Sequence, residues 1–293
     1  MPRLSEVLTA LDALWPPERA ESWDAVGTVC GDPDAEVDRV LFAVDPVGEI
    51  AEEAVRTGAQ LLVTHHPLYL RGTTTVAATT AKGRLVHQLI KNGIALHVAH
   101  TNADTADPGV SDALAGALDL RVLRPLVPDA GDPEGRRGLG RVCELAHPLS
   151  AREFAALAAR RLPATAQGIR LAGDPEAPVR TVAVSGGSGD SLFGAVAAAG
   201  VDAFLTADLR HHPASEFAAD HAHRPLALLD AAHWATEWPW CELAAAQLDE
   251  ISDRNGWGLR VHVSKTVTDP WTAHAASHGA AYEAAPDPAG APN

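Results

Sequence analysis

Six stretches of this chain share one form, an apolar run that stops abruptly at polar residues. They are VLFAVD (40–45), AQLLVTHHP (59–67), GIALHVAHTNAD (93–104), RTVAVSGGSGD (180–190), VDAFLTAD (201–208) and PLALLDAAH (225–233). Ala-rich stretches of helical character lie between them, for example 49–57 and 192–199. Continuously apolar strands alternating with helices are the pattern of a sheet covered on both faces. The fold class that follows is α/β, with mixed, largely parallel sheets. Such sheets gather their ligands at the carboxyl ends of the strands, so the polar residues that end each run are where chemistry is expected.

A length of 293 residues suggests about two domains. Residues 125–140 (PLVPDAGDPEGRRGLG) are dense in Pro, Gly and charge, lack an apolar period and read as a linker. The expected division is therefore an N-terminal α/β region over 1–128 and a second over 129–268. In the second region Ser150 and Glu153 have the form of a capping box, predicting a helix over roughly 150–162. At the N-terminus Leu4, Val7, Leu8 and Leu11 follow helical spacing, which predicts an amphipathic helix rather than a signal peptide. Residues 269–293 are Ala, Pro and Gly with scattered His and read as a disordered tail.

Lys and Arg number 23 against 38 Asp and Glu, and a net charge of −15 disfavours nucleic acid and anionic membranes as partners. The most apolar stretch, 194–207, is interrupted by Asp202 and is shorter than the about 20 residues a bilayer requires. Cys30, Cys143 and Cys241 are far apart and form no C-x-x-C, which argues against disulfides and thiolate metal sites. A reducing, cytoplasmic setting fits that usage.

Three of the strand ends carry metal-type side chains: His65-His66-Pro67, His100 to Asp104, and His233 with Glu237 four residues later. Neighbouring residues of a strand point to opposite faces, so His65 and His66 share a site only if the strand has ended before Pro67. On a helix, His233 and Glu237 lie one turn apart on one face. Imidazole and carboxylate together suit Zn, Fe, Mn, Co or Ni better than Ca or Mg. A carboxylate can also bridge two ions, which makes Asp104 or Glu237 the expected bridge. Each piece alone has an ordinary explanation: a His doublet is commonly surface chemistry, an i, i+4 pair a helix-face contact, a strand-end Asp a cap. Three of them at strand ends of one sheet pattern favour a joint metal site.

The motifs AESWDAVG (20–27), VTHHPLYL (63–70), HTNADTA (100–106), SGGSGD (185–190), FLTADLRHH (204–212) and DAAHWATEWP (230–239) resemble the dinuclear metal centre hexameric family. Its members are also known as GTP cyclohydrolase I type 2 homologues or NGG-interacting-factor-three-like proteins. The resemblance runs from about residue 4 to 268. It implies two α/β domains with the metals near their junction, two divalent ions on His65, His66, Asp104, His233 and Glu237, and a ring of six protomers. It puts His100 close to the metals, as a further ligand or as a partner of one. Ala25, Thr28, Ala207 and Ala232 depart from the family's usual residues at positions that are not ligands.

The function these readings favour is metal-dependent hydrolysis of a small, nucleotide-like substrate, with His100 and Glu237 as candidate proton carriers. The resemblance specifies it as hydrolytic opening of the guanine imidazole ring of GTP. The competing reading is a metal-binding or regulatory ring without catalysis. Among other features, SGGSGD lacks the Lys-Ser/Thr sequel of a nucleotide P-loop and reads as a strand-to-helix turn. His212 is a weak candidate for contact with the site, and Trp23 with Asp24 either frames the pocket or, as a buried Trp and an Asp, fixes a loop. The remaining histidines, His97 among them, read as structural or solvated.

Overall fold

The structure, a computed structural model, describes residues 1–221 and 226–275. Its first half runs α1 (Leu4–Leu14), β1 (Gly27–Cys30), β2 (Arg39–Ala43), α2 (Gly48–Thr57), β3 (Leu61–Thr64), α3 (Ala81–Lys91), β4 (Ala95–Val98), α4 (Thr101–Asp104) and α5 (Val110–Ala117). There follow β5 (Arg121–Pro128), β6 (Gly138–Ser150), α6 (Ala151–Arg161), β7 (Arg170–Ala172), β8 (Pro178–Ser188) and α7 (Phe193–Ala199). The chain continues through β9 (Ala203–Ala207), α8 (His211–Asp220), β10 (Ala227–Ala231), α9 (His233–Asn255) and β11 (Arg260–Val263).

The strands form two mixed sheets, ordered β1-β4-β3-β2-β11 and β5-β6-β8-β9-β10-β7. Five of the nine neighbouring pairs are parallel, and the antiparallel ones lie toward the edges, at β1, β5, β6 and β7. The α/β class with mixed, largely parallel sheets is thus what the chain adopts. Alternation along the inner strands shows why their sequences are apolar throughout. On β2, Val40 and Phe42 enter one core while Leu41 and Ala43 enter another under α2 and α3. On β9, Ala203 and Leu205 face the first core and Phe204 faces a third, under α7 and α8. Each strand is covered on both sides.

The first core joins the two sheets. It takes Val63 from β3 and Val184 from β8, and between them Trp234, Trp240, Ala244 and Leu248 of α9. Trp240 also lies against Trp15 at 5.1 Å between ring centroids. One long helix therefore touches both sheets, and the residues at its start stand between their strand ends.

Two expectations meet the structure differently. Ser150 caps α6 as its capping box predicts, accepting from the Glu153 amide. The Pro/Gly-rich stretch at 125–140, however, holds the tip of an antiparallel hairpin: β5 and β6 pair Val127 with Leu139 and Pro128 with Gly138. Pro and Gly density marks a turn whether the flanking segments diverge or pair, and here they pair. Each sheet also takes one strand from the other side of residue 128, β5 in the second and β11 in the first. The tail expected to be disordered lies, from residue 276 onward, outside the described residues.

Candidate metal centre

β3 stops at Thr64, so His65 and His66 are free of the sheet's alternation as Pro67 requires. Their amides remain anchored, donating to the carbonyls of Ala43 and Val44 at 3.2 and 2.8 Å. β4 lies parallel to β3 and delivers His100 beside them. The Asn102 side chain fixes this corner, its oxygen accepting from the His100 amide and its nitrogen donating to the Trp15 carbonyl. Asp104 follows at the end of the single turn α4. From the second sheet, β10 ends at Ala231 and α9 begins at His233, which places His233 and Glu237 on one helical face.

These residues meet. Glu237 Oε1 lies 3.0 Å from His233 Nε2 and 3.4 Å from His65 Nε2, while its Oε2 lies 3.0 Å from His66 Nε2. His66 and His233 approach at 3.2 Å through their Nε2 atoms, and Asp104 Oδ1 is 3.8 Å from His65 Nε2. Donor atoms of His65, His66 and His100 lie within 4.8 Å of one another, as do those of His66, His233 and Glu237.

The outer nitrogen of each imidazole is tethered. His66 Nδ1 meets Asp45 at 2.7 Å, His233 Nδ1 meets Asp208 at 2.7 Å, His100 Nδ1 meets Asp24 at 2.9 Å, and His65 Nδ1 meets the Ala99 carbonyl at 2.9 Å. A carbonyl or carboxylate there accepts, so Nδ1 carries a proton and the Nε2 atoms of His65, His66 and His233 face the cluster. Such an arrangement could hold a cation.

Residues 2–270 match the profile of the Duf34/NIF3 (NGG1p interacting factor 3) family. The chain belongs to this family. A relative named GTP cyclohydrolase 1 type 2 homolog from Streptomyces coelicolor is 84% identical over 277 residues, covering 94% of this chain and 96% of its own. A Mycobacterium tuberculosis protein of the same name is 37% identical over 374 residues, covering 92% of this chain and 96% of its own. The crystal structure of a Bacillus cereus protein related to NIF3 superposes with a TM-score of 0.84 over 92% of this chain and 99% of that one, at 23% identity, which speaks for the fold.

Electrostatics in this NIF3-family chain follow from the same contacts. Burial pushes the His66 and His233 imidazoles down, but Glu237 together with Asp45 or Asp208 outweighs it and raises them to about 10 and about 11. His65 is raised too, by Glu237 and Asp104 against its burial. Burial pushes Glu237 up, yet the three imidazoles hold its carboxyl well below the usual range. Asp104 is raised by burial. Without a metal the donor set holds protons, the substitute for the cations its geometry suits. Two atoms remain unsatisfied even so. His65 Nε2 and Glu237 Oε2 are buried without a hydrogen-bond partner, the latter approaching His66 without hydrogen-bond alignment. Orphaned buried polar atoms of this kind fit a bound cation.

The cluster opens into a cavity of about 490 Å³ lined by His100, Asp104, His233 and Glu237 within and by Trp23 and Leu70 at its lip. Trp23 is 57% exposed and stands edge-on to His100, so it frames the pocket rather than filling a core. Asp24 fixes the loop, accepting from the Thr101 amide and hydroxyl as well as from His100. On the other side of His66 and His233 a smaller cleft of about 240 Å³ is walled by Asp208 and Trp271. His211 and His212 are exposed at the start of α8 and join no donor cluster among the described residues.

Sequence reasoning missed three contributors. Asp45 and Asp208 end the apolar runs VLFAVD and FLTAD, the same strand-end signature that selected the histidines. Gly187, read as part of a turn, lies against the donors: a Cβ there would sit 2.5 Å from Glu237 Oε1 and 3.1 Å from His233 Nε2, and its φ is +66°. Its amide donates to Thr236 Oγ1, one residue before Glu237. Asp208 also adopts a left-handed backbone, φ 57°, a conformation that Asp tolerates better than most residues.

Proposed function

We propose that this chain is a dinuclear metal-dependent hydrolase of a small, nucleotide-like substrate. The observation that carries the reading is the junction of donor set and cavity: imidazoles and carboxylates converge, and four of these residues, His100, Asp104, His233 and Glu237, line a space of about 490 Å³, within the size range of small-molecule sites. A purely structural metal site is closed by protein groups, whereas this one faces open space.

In this reading His65, Asp104 and Glu237 would hold one divalent ion, and His66 and His233, with Glu237, the other. Zn, Fe, Mn, Co and Ni all suit such donors. Bound ions would supply a water activated near neutral pH and stabilise negative charge developing on the substrate. Glu237 is committed to the donor set, which leaves His100 as the proton carrier. Its Nδ1 is fixed by Asp24, so its Nε2 side is free to serve the cavity. Trp23 and Leu70 offer an apolar lip against which a flat ring can rest.

The name of the Streptomyces coelicolor relative makes hydrolytic opening of the guanine ring of GTP the first reaction to test. A ring of six protomers in the cytoplasm completes the reading, supported by the resemblance and by three unpaired cysteines. Metal-loaded protein and a His66→Ala variant are assayed side by side against GTP and a panel of other nucleotides. The expected result is turnover by the native chain and a loss of about a hundredfold or more in the variant. Unchanged turnover in a variant whose metal content has fallen would overturn the reading.

A further inference from the structure

The segment that follows β11 runs across the molecule toward the donor cluster. The Ser264 amide donates to the Phe42 carbonyl at 2.8 Å, and the Trp238 indole donates to the Ser264 carbonyl at 2.8 Å. The Ser264 and Thr266 hydroxyls both donate to Glu53 Oε2 on α2. Thr268 then donates its hydroxyl to Asp45 Oδ2, and the other oxygen of that carboxylate, Oδ1, meets His66 Nδ1 at 2.7 Å. Thr268 and Asp269 both enter the wall of the smaller cleft beside His66 and His233.

From this chain of contacts we infer that Thr268 is a positioning residue for the His66 half of the metal centre. Three of the tethered imidazoles differ in what stands behind the tether. His65 is held by the Ala99 carbonyl, part of the backbone that leaves β4 and as rigid as the sheet. His100 is held by Asp24, whose second oxygen is fixed by the hydroxyl and amide of Thr101, the residue next to His100 itself. Asp45 repeats that device with a Thr hydroxyl on its second oxygen, but the hydroxyl comes from 223 positions away. A carboxylate with one oxygen on His66 and the other unheld can rotate, and the imidazole turns with it. Thr268, at the end of a strap formed by residues 264–268, removes that freedom by donating to the carboxylate. The strap thereby makes the orientation of His66 depend on the docking of residues 264–268 on α2 and α9.

This inference rests on the ligand set proposed above, and it is read through metal binding, not turnover. Its test is a Co(II) titration of full-length protein followed by absorption, in the native chain, in Thr268→Val and in Thr268→Ser. Val keeps the volume of Thr and removes the hydroxyl, whereas Ser keeps the hydroxyl. The expected result is a weakening of about tenfold in one binding step of Thr268→Val, with the other step unmoved and Thr268→Ser close to native. A d–d band changed in the weakened step only would report altered geometry at His66. Thr268→Val binding Co(II) as the native chain does overturns the inference, and equal weakening of both steps does so as well, since that is the signature of general destabilisation. Should the native chain itself bind no Co(II), it is the proposed ligand set that fails. Thermal melting of the metal-free variants checks that each is folded before titration.

Discussion

Asp24, Asp45 and Asp208 do one task for three different imidazoles, each accepting from an outer ring nitrogen so that the inner one faces the cluster. Proton balance follows directly. Metal-free, His66 and His233 keep protons up to about pH 10 and about 11, because Glu237 and their own aspartates outweigh the burial that opposes charge. A raised imidazole contributes stability that is complete below its unfolded value of 6.5 and is lost as pH climbs through the folded value. A cation must displace those protons, so its affinity rises with pH across that range. Zinc added to metal-free protein in weakly buffered solution at pH 7 is therefore expected to release protons; a titration with no acidification contradicts the account. Gly187 gives a second residue-scale expectation. Gly187→Ala drives a methyl into Glu237 and forces a left-handed backbone on an L-residue, costing about 1–2 kcal/mol of stability and lowering metal content, readable by urea unfolding and elemental analysis. The five ligand candidates were legible because strand-end His and carboxylates stand out in sequence. Gly187 was not, since its role depends on what lies across space.

Elements show the same division between local and distant information. α6 was legible because its cap is local: the Ser150 hydroxyl accepts from the Glu153 amide and Glu153 reaches back to the Ser150 amide. Ser150→Ala is expected to cost about 1 kcal/mol in denaturant unfolding, and a value near zero contradicts the cap. The stretch 125–140 reads as a linker because its turn residues are local, while the pairing of β5 with β6 is not. β4 carries a further expectation in His97, which reads in sequence as structural or solvated. The ring is buried in the sheet beside Thr28, and burial pushes its pKa down to about 4. An imidazole kept neutral in the fold takes up a proton more readily once unfolded. Stability is thus complete above about pH 6.5 and falls as pH drops toward 4, by at most about 3 kcal/mol. His97→Leu should flatten that part of the pH profile relative to native; an unchanged slope places the acid sensitivity elsewhere.

At the scale of the whole molecule, α9 packs against both sheets and carries two of the donors, so cluster and core are built from one element. Sheet class was legible from the apolar runs, whereas the exchange of β5 and β11 across residue 128 was not, because strand order is set by pairing that no single run records. The alignment of 374 positions with the Mycobacterium tuberculosis relative exceeds this chain's 293, so that relative carries residues this one lacks, and the candidate site is assembled without them. Among the described residues no helix is long and apolar enough to cross a membrane. Ions that bind the folded cluster and not the unfolded chain add stability by mass action, about 2.7 kcal/mol at a hundredfold excess over Kd. A chelator is accordingly expected to lower Tm, and restoring the metal to recover it. The most direct measurement is elemental analysis of the chain purified without chelator, beside Glu237→Gln. The account predicts about two divalent ions per native chain and fewer than about one in the variant, whose side chain no longer offers a charge to bridge them. A native chain holding no more metal than Glu237→Gln would contradict it.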